Sequence, residues 1–108
     1  MDNEHGYRLV IIACPRAEEA RILADEVIER RLAACVQIDS VESSYRWQGA
    51  VERAFEQRLM LKTRIDKVEA IAALARSLLS EENPEVIALP ISEASPAYLA
   101  WLDESIDA

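Results

Sequence analysis

The sequence predicts an α+β fold with elements in the order β-α-β-β-α-β and a further helix closing the chain. Three observations predict it. Apolar residues switch along the chain between a period of two and a period of about 3.6, so strands alternate with helices. A long hairpin occupies residues 32–63, with Gln48-Gly49 at its tip. The 108 residues are 51% hydrophobic, enough for one ordinary core.

Tyr7 to Cys14 (YRLVIIAC) is a continuous apolar run, the pattern of a central strand buried on both faces. Pro15 ends it and suits the start of a helix. From Arg16 to Leu32 the period becomes helical: Ala20, Leu23, Ala24, Val27 and Ile28 form one stripe. Glu18 and Glu19 in the expected first turn, and Arg30 and Arg31 in the expected last, complement the helix dipole.

The hairpin follows directly. Cys35, Val36 and Ile38 open its first strand, and Tyr45 and Trp47 end it. Gly49 takes a positive φ at the turn without a Cβ clash. On the return strand Val51, Phe55, Leu59 and Leu61 share one parity, and Glu52, Glu56, Arg58 and Lys62 the other. The outgoing strand changes phase between Ile38 and Val41, which predicts a bulge or bend near Asp39-Ser40.

Length is the informative part of the hairpin. A dozen strand residues at roughly 3.3 Å each span about 40 Å. A domain of this size has a radius of gyration of about 13 Å, so the ribbon overshoots its own domain. A lone two-stranded ribbon is marginal in water. It is therefore expected to lie against another subunit, with Tyr45, Trp47, Val51 and Phe55 in the interface. Burying each ring contributes about 5 kcal/mol gross, against an association cost on the order of 4–15 kcal/mol.

Thr63-Arg64-Ile65-Asp66 predicts a capping box for a second helix, whose buried face is Val68, Ile71, Ala72, Ala75, Leu78 and Leu79. Ser80-Glu81-Glu82-Asn83-Pro84 breaks it. Val86 to Leu89 is a short strand closed by Pro90, expected at a sheet edge or strand terminus. Ser95-Pro96 opens the last helix as N-cap and N1, with Tyr98, Leu99, Trp101, Leu102 and Ile106 on its apolar side. This order is the split-βαβ, ferredoxin-like plan. Right-handed crossovers put both main helices on one face of the sheet, and a second subunit is expected to cover the other. Residues 7–107 are expected to form the single domain and residues 1–6 a flexible N-terminus.

Charge narrows the partners. With 12 Lys and Arg against 20 Asp and Glu, the net charge is -8. Nucleic-acid backbones and anionic membranes call for basic patches, so neither is an expected partner. The apolar run Leu9 to Cys14 is far too short to cross a membrane. The polar N-terminus is not expected to be a signal peptide. Cys14 and Cys35 show neither CxxC nor zinc spacing, and a cytoplasmic location with reduced thiols is the expectation.

Candidate chemistry is sparse. Cys14 lies just before a helix start, where a thiolate and Cu(I) binding are favoured; the competing reading is a small hydrophobe ending a buried strand. Cys35 reads as a core residue. Glu81, Glu82 and Glu85 offer oxygen ligands for a hard cation, against the reading of a solvated loop. Tyr45 and Trp47 form either a ligand-binding aromatic wall or inter-subunit packing. His5 is the one histidine and has no nucleophile beside it in sequence, and Gly6 and Gly49 are the only glycines. Neither a Ser-His or Cys-His pair nor a phosphate loop can be drawn, so no enzyme is expected.

Several segments together resemble one family. Arg31-Leu32-Ala33-Ala34-Cys35-Val36 is similar to the strand-two entry of the CutA family of divalent-cation tolerance proteins. Tyr45-Arg46-Trp47-Gln48-Gly49 resembles its S-x-Y-x-W-x-G hairpin tip. Leu61-Lys62-Thr63, the run from Pro84 to Pro90, and Tyr98 to Leu102 match in order, so the resemblance runs from about Leu9 to Ile106. It implies a ferredoxin-like subunit in a homotrimer similar in architecture to PII signalling proteins. It also implies a link to tolerance of copper or another divalent cation, with Cu2+ as the implied metal, and no established reaction. Two alternatives stand beside it: a PII-like small-molecule sensor with clefts between subunits, and a structural module that trimerises or tethers a partner. The chain departs from the family at Leu79-Ser80-Glu81, where many members have His-Pro-Tyr.

Overall fold

The computed structural model describes residues 6–106. The expected flexible N-terminus, residues 1–6 with His5, lies outside the described residues except for Gly6, and so does residue 107, the expected domain end.

β1 (Tyr7–Cys14) is a central strand, antiparallel to β3 (Ala50–Arg64) on one side and to β4 (Glu85–Pro90) on the other. β2 (Cys35–Trp47) lies outside β3, giving the order β2-β3-β1-β4. β4 is an edge strand, as Pro90 predicts. α1 (Ala17–Glu29) and α2 (Val68–Leu78) cover one face. Val10, Ile12 and Cys14 of β1, Leu59 and Leu61 of β3, and Ala20, Leu23, Val27, Ile71 and Ala75 of the helices make its core. These residues are spaced by two in the strands and by three or four in the helices, as their periods require.

α1 is shorter than the expected span from Arg16 to Leu32. Arg31 takes φ 57°, the left-handed conformation that ends a helix. Its N–H bonds to Ile28 O and that of Leu32 to Val27 O, at 3.0 and 2.9 Å, so two helix-end carbonyls are satisfied. Arg30 and Arg31 therefore lie beyond the last turn rather than within it. Arg31 Nη2 also donates to Glu104 O at 2.6 Å, tying this corner to the last helix.

The expected capping box does not form. Thr63 is the buried polar residue of the core; it lies in β3 and donates from Oγ1 to Leu32 O at 2.6 Å. A 3-10 turn, Ile65–Lys67, intervenes before α2, and Asp66 accepts from Arg64 instead. The third helix, α3 (Pro96–Ser105), begins with Pro at its first turn as expected. It packs on the sheet face opposite α1 and α2, where Tyr7, Leu99, Leu102 and Ile106 form a second apolar cluster. One end of that face is thus covered by the chain itself.

The hairpin occupies the expected residues but is unbroken. β2 and β3 pair without interruption from Cys35–Lys62 to Trp47–Ala50, so the bulge expected near Asp39-Ser40 is absent. The phase change has another origin. Val36 and Ile38 stand opposite Leu61 and Leu59, on the helix side, whereas Val41, Tyr45 and Trp47 stand on the open side. Past Asp39 the chain's own helices no longer dictate which side is apolar. At the tip Gln48 and Gly49 both have positive φ, 49° and 83°, as a two-residue hairpin turn demands. The molecule measures 46 × 25 × 21 Å, with a radius of gyration of 14.6 Å. It is elongated by this ribbon.

Candidate functional site

The outer ribbon and the loop between α2 and β4 enclose a cleft of about 760 Å³. Its ribbon wall is the open side of the hairpin: Tyr45 opposite Glu52, Trp47 opposite Ala50, and Glu56 opposite Val41. Its loop wall carries Glu81, Pro84 and Glu85. Ala13 of β1, paired with Glu85, lies at its base. The cleft exists because β1 separates β3 from β4 and the ribbon projects past the end of β1.

Four carboxylates line this space. Among the described residues, none of Glu52, Glu56, Glu81 and Glu85 makes an ion pair within 4.0 Å. Glu81 is the least solvated in one atom: its Oε1 is sequestered from solvent with no hydrogen-bond partner. Burial pushes the Glu81 carboxyl above the usual range, and the charges of Glu56, Glu19 and Glu85 push it further the same way. Glu19, at the start of α1, behaves oppositely. It accepts from the Ser80 N–H at 2.8 Å and Oγ at 3.1 Å, which hold its pKa down. The loop is thereby fastened to α1 one residue before Glu81.

The sequence-derived candidates separate. Glu81 and Glu85 share the cleft, whereas Glu82 is exposed and outside its lining. Cys14 is fully buried on the helix side of β1. Its Sγ donates to Arg16 O at 3.6 Å, and burial raises the thiol pKa. The expected thiolate is therefore disfavoured, because burial outweighs the hydrogen bond to Arg16 O. Cys35 is half-buried rather than in the main core. Tyr45, Trp47, Val51 and Phe55 are 45%, 62%, 65% and 72% exposed. Tyr45 and Trp47 face the cleft; Val51 and Phe55 project from the other side of the ribbon.

Glu52 and Glu56 are the site residues that sequence reasoning missed. Their signal was present: they share a parity on the return strand, and a two-residue turn puts that parity opposite Tyr45 and Trp47. As a donor set, four carboxylates suit hard divalent cations better than soft Cu(I). Among the described residues, however, no three His, Cys, Asp or Glu side chains are gathered closely enough to hold a metal ion. One chain does not present a closed metal centre there.

Comparison with known proteins places these features. The family model described as CutA1 divalent ion tolerance protein matches residues 8–105. The Xenopus laevis protein CutA homolog is 41% identical over 96 residues, 88% of this chain and 64% of the relative. The chloroplastic protein CutA of Arabidopsis thaliana is 38% identical over 98 residues, 90% of this chain and 54% of the relative. The chain thus spans about half to two-thirds of the length of these relatives. A solved structure of the periplasmic divalent cation tolerance protein CutA from Archaeoglobus fulgidus superposes with a TM-score of 0.91 at 32% identity, covering 94% of this chain and 99% of that one. It shares the α+β architecture described above.

The cytoplasmic expectation does not hold against these relatives, which are chloroplastic in one case and periplasmic in another by name. Cys14 is inaccessible and so gives no sign of a redox compartment. The family match over 8–105, with the same fold in the archaeal structure, shows that the chain belongs to the CutA1 divalent ion tolerance protein family.

Proposed function

We propose that this protein acts in divalent-cation tolerance as a non-enzymatic homotrimer, with the β2–β3 ribbon as its assembly arm. The observation that carries this reading is the exposure of Tyr45, Trp47, Val51 and Phe55 on both sides of a ribbon that leaves its own core. Exposed aromatic and aliphatic residues grouped in this way mark association surfaces. The relatives' names supply the cation, as in the divalent-cation tolerance proteins of Archaeoglobus fulgidus and Thermus thermophilus. The carboxylates of the cleft supply the surface that attracts it.

Calorimetric titration of the reduced protein with Cu(II), and separately with Zn(II), tests the cation role. Saturable binding with simple stoichiometry per trimer supports it, and no heat with either ion contradicts it. The cleft itself favours a second reading, a small-molecule sensor: about 760 Å³ walled by Tyr45 and Trp47 matches the size of ligand pockets. A rise in Tm with nucleotides but not with metals selects that reading.

A further inference from the structure

The two sides of the outer ribbon differ in charge. On the cleft side stand Glu52 and Glu56 with Tyr45 and Trp47. On the other, Arg46 stands opposite Val51 and Arg53 opposite Ser44, with Glu42 opposite Phe55. Arg46 and Arg53 outnumber Glu42, so that side is net positive. Among the described residues, neither arginine makes an ion pair within 4.0 Å. Arg46 reaches only the Gly49 carbonyl of its own turn, at 3.4 Å. Strand alternation sends these arginines and the cleft acids to opposite sides of one ribbon. A chain therefore cannot neutralise its own cleft with them, but a second copy can.

We infer that the acidic cleft is completed by a second copy of this chain, through Arg46 and Arg53 of the partner subunit. A guanidinium fits twice over. Its N–H fork matches carboxylates such as Glu52, Glu56 and Glu85, and its flat face stacks on rings such as Tyr45 and Trp47. It also brings donors to the unpartnered Glu81 Oε1. Val51 and Phe55 accompany the arginines and are covered in the same contact. The contact joins two different surfaces, so it is head-to-tail, the geometry that closes into a ring when the rotation permits. This inference rests on the assembly reading and names the surfaces that mate.

Charge exchange tests it, read as molar mass by light scattering across protein concentrations, with circular dichroism to confirm folding. Arg46→Glu/Arg53→Glu and Glu52→Arg/Glu56→Arg are each expected to weaken assembly at least tenfold. The four substitutions in one chain restore opposite charges at every contact and are expected to recover it. Assembly indifferent to either double variant overturns the contact while leaving the trimer reading intact, as does failure of the folded fourfold variant to recover. A wild-type chain of protomer mass overturns both. Should the reversals unfold the ribbon, Arg46→Gln/Arg53→Gln reads the same contact without repulsion: weaker assembly supports it, and unchanged assembly overturns it.

Discussion

Arg58 grips Asp39 across a directly paired position of β2 and β3, Nε to Oδ1 at 3.1 Å and Nη2 to Oδ2 at 2.8 Å. The pair sits where the ribbon passes from the covered part of the sheet to its projecting part. Such a two-point fork is geometrically demanding, and an inserted residue would misalign it. The Arg58 guanidinium holds the Asp39 carboxyl below the usual range. A depressed folded pKa contributes stability above the ordinary carboxylate pKa, lost as pH falls through the depressed value. Asp39→Asn is therefore expected to lower Tm slightly at pH 7 and to converge with the parent in strong acid. A Tm difference independent of pH contradicts this.

Glu81 has the opposite sign. Its folded pKa is raised by burial and by neighbouring carboxylates. Its ionisation therefore costs stability as pH rises from the ordinary carboxylate pKa through the raised value. In the dissociated protomer, Glu81→Gln is therefore expected to raise Tm at pH 7. The gain should fade below the ordinary carboxylate range. In the assembled protein, where a partner arginine reaches this carboxylate, the same substitution is expected to lower Tm instead, and a gain there contradicts that contact.

Tyr7 fastens α3 to the sheet. Its hydroxyl donates to Asp103 Oδ2 at 2.8 Å, and Arg64 Nη1 approaches Oδ1 of the same carboxylate at 3.4 Å. Tyr7→Phe keeps the packing of the second cluster and removes that bond. It is expected to cost about 1 kcal/mol, with faster amide exchange confined to residues 96–105. Unchanged exchange there means that packing alone holds α3.

The thiols should separate chemically. Cys14 is fully buried with a raised pKa, while Cys35 is half-buried. A disulfide reagent is expected to modify Cys35 in the native protein and Cys14 only after denaturation. Rapid native labelling of Cys14 contradicts the burial argument.

Local signals carried most of the fold. The alternation of Val51, Phe55, Leu59 and Leu61, and Gly49 in the turn, located the hairpin because strand parity and positive φ are properties of a few adjacent residues. The end of α1 was less legible, because Arg31 adopts a conformation more typical of glycine and is anchored by Glu104, far away in sequence. Thr63 misled for a similar reason: its hydroxyl could cap a helix locally, but its bond goes to Leu32. Half of the cleft was named in advance. Glu81 and Glu85 were legible as a loop cluster. Glu52 and Glu56 join them only through the strand order, which sequence spacing does not set.

The most direct measurement of the central claim is molar mass in solution for the wild-type chain and for Trp47→Ala. The account predicts three times the 12.1 kDa protomer mass for the wild type, and a shift toward the protomer for the variant, with the fold retained. A wild-type protomer mass, or a trimer unchanged in mass and Tm by Trp47→Ala, would contradict the ribbon as the assembly arm.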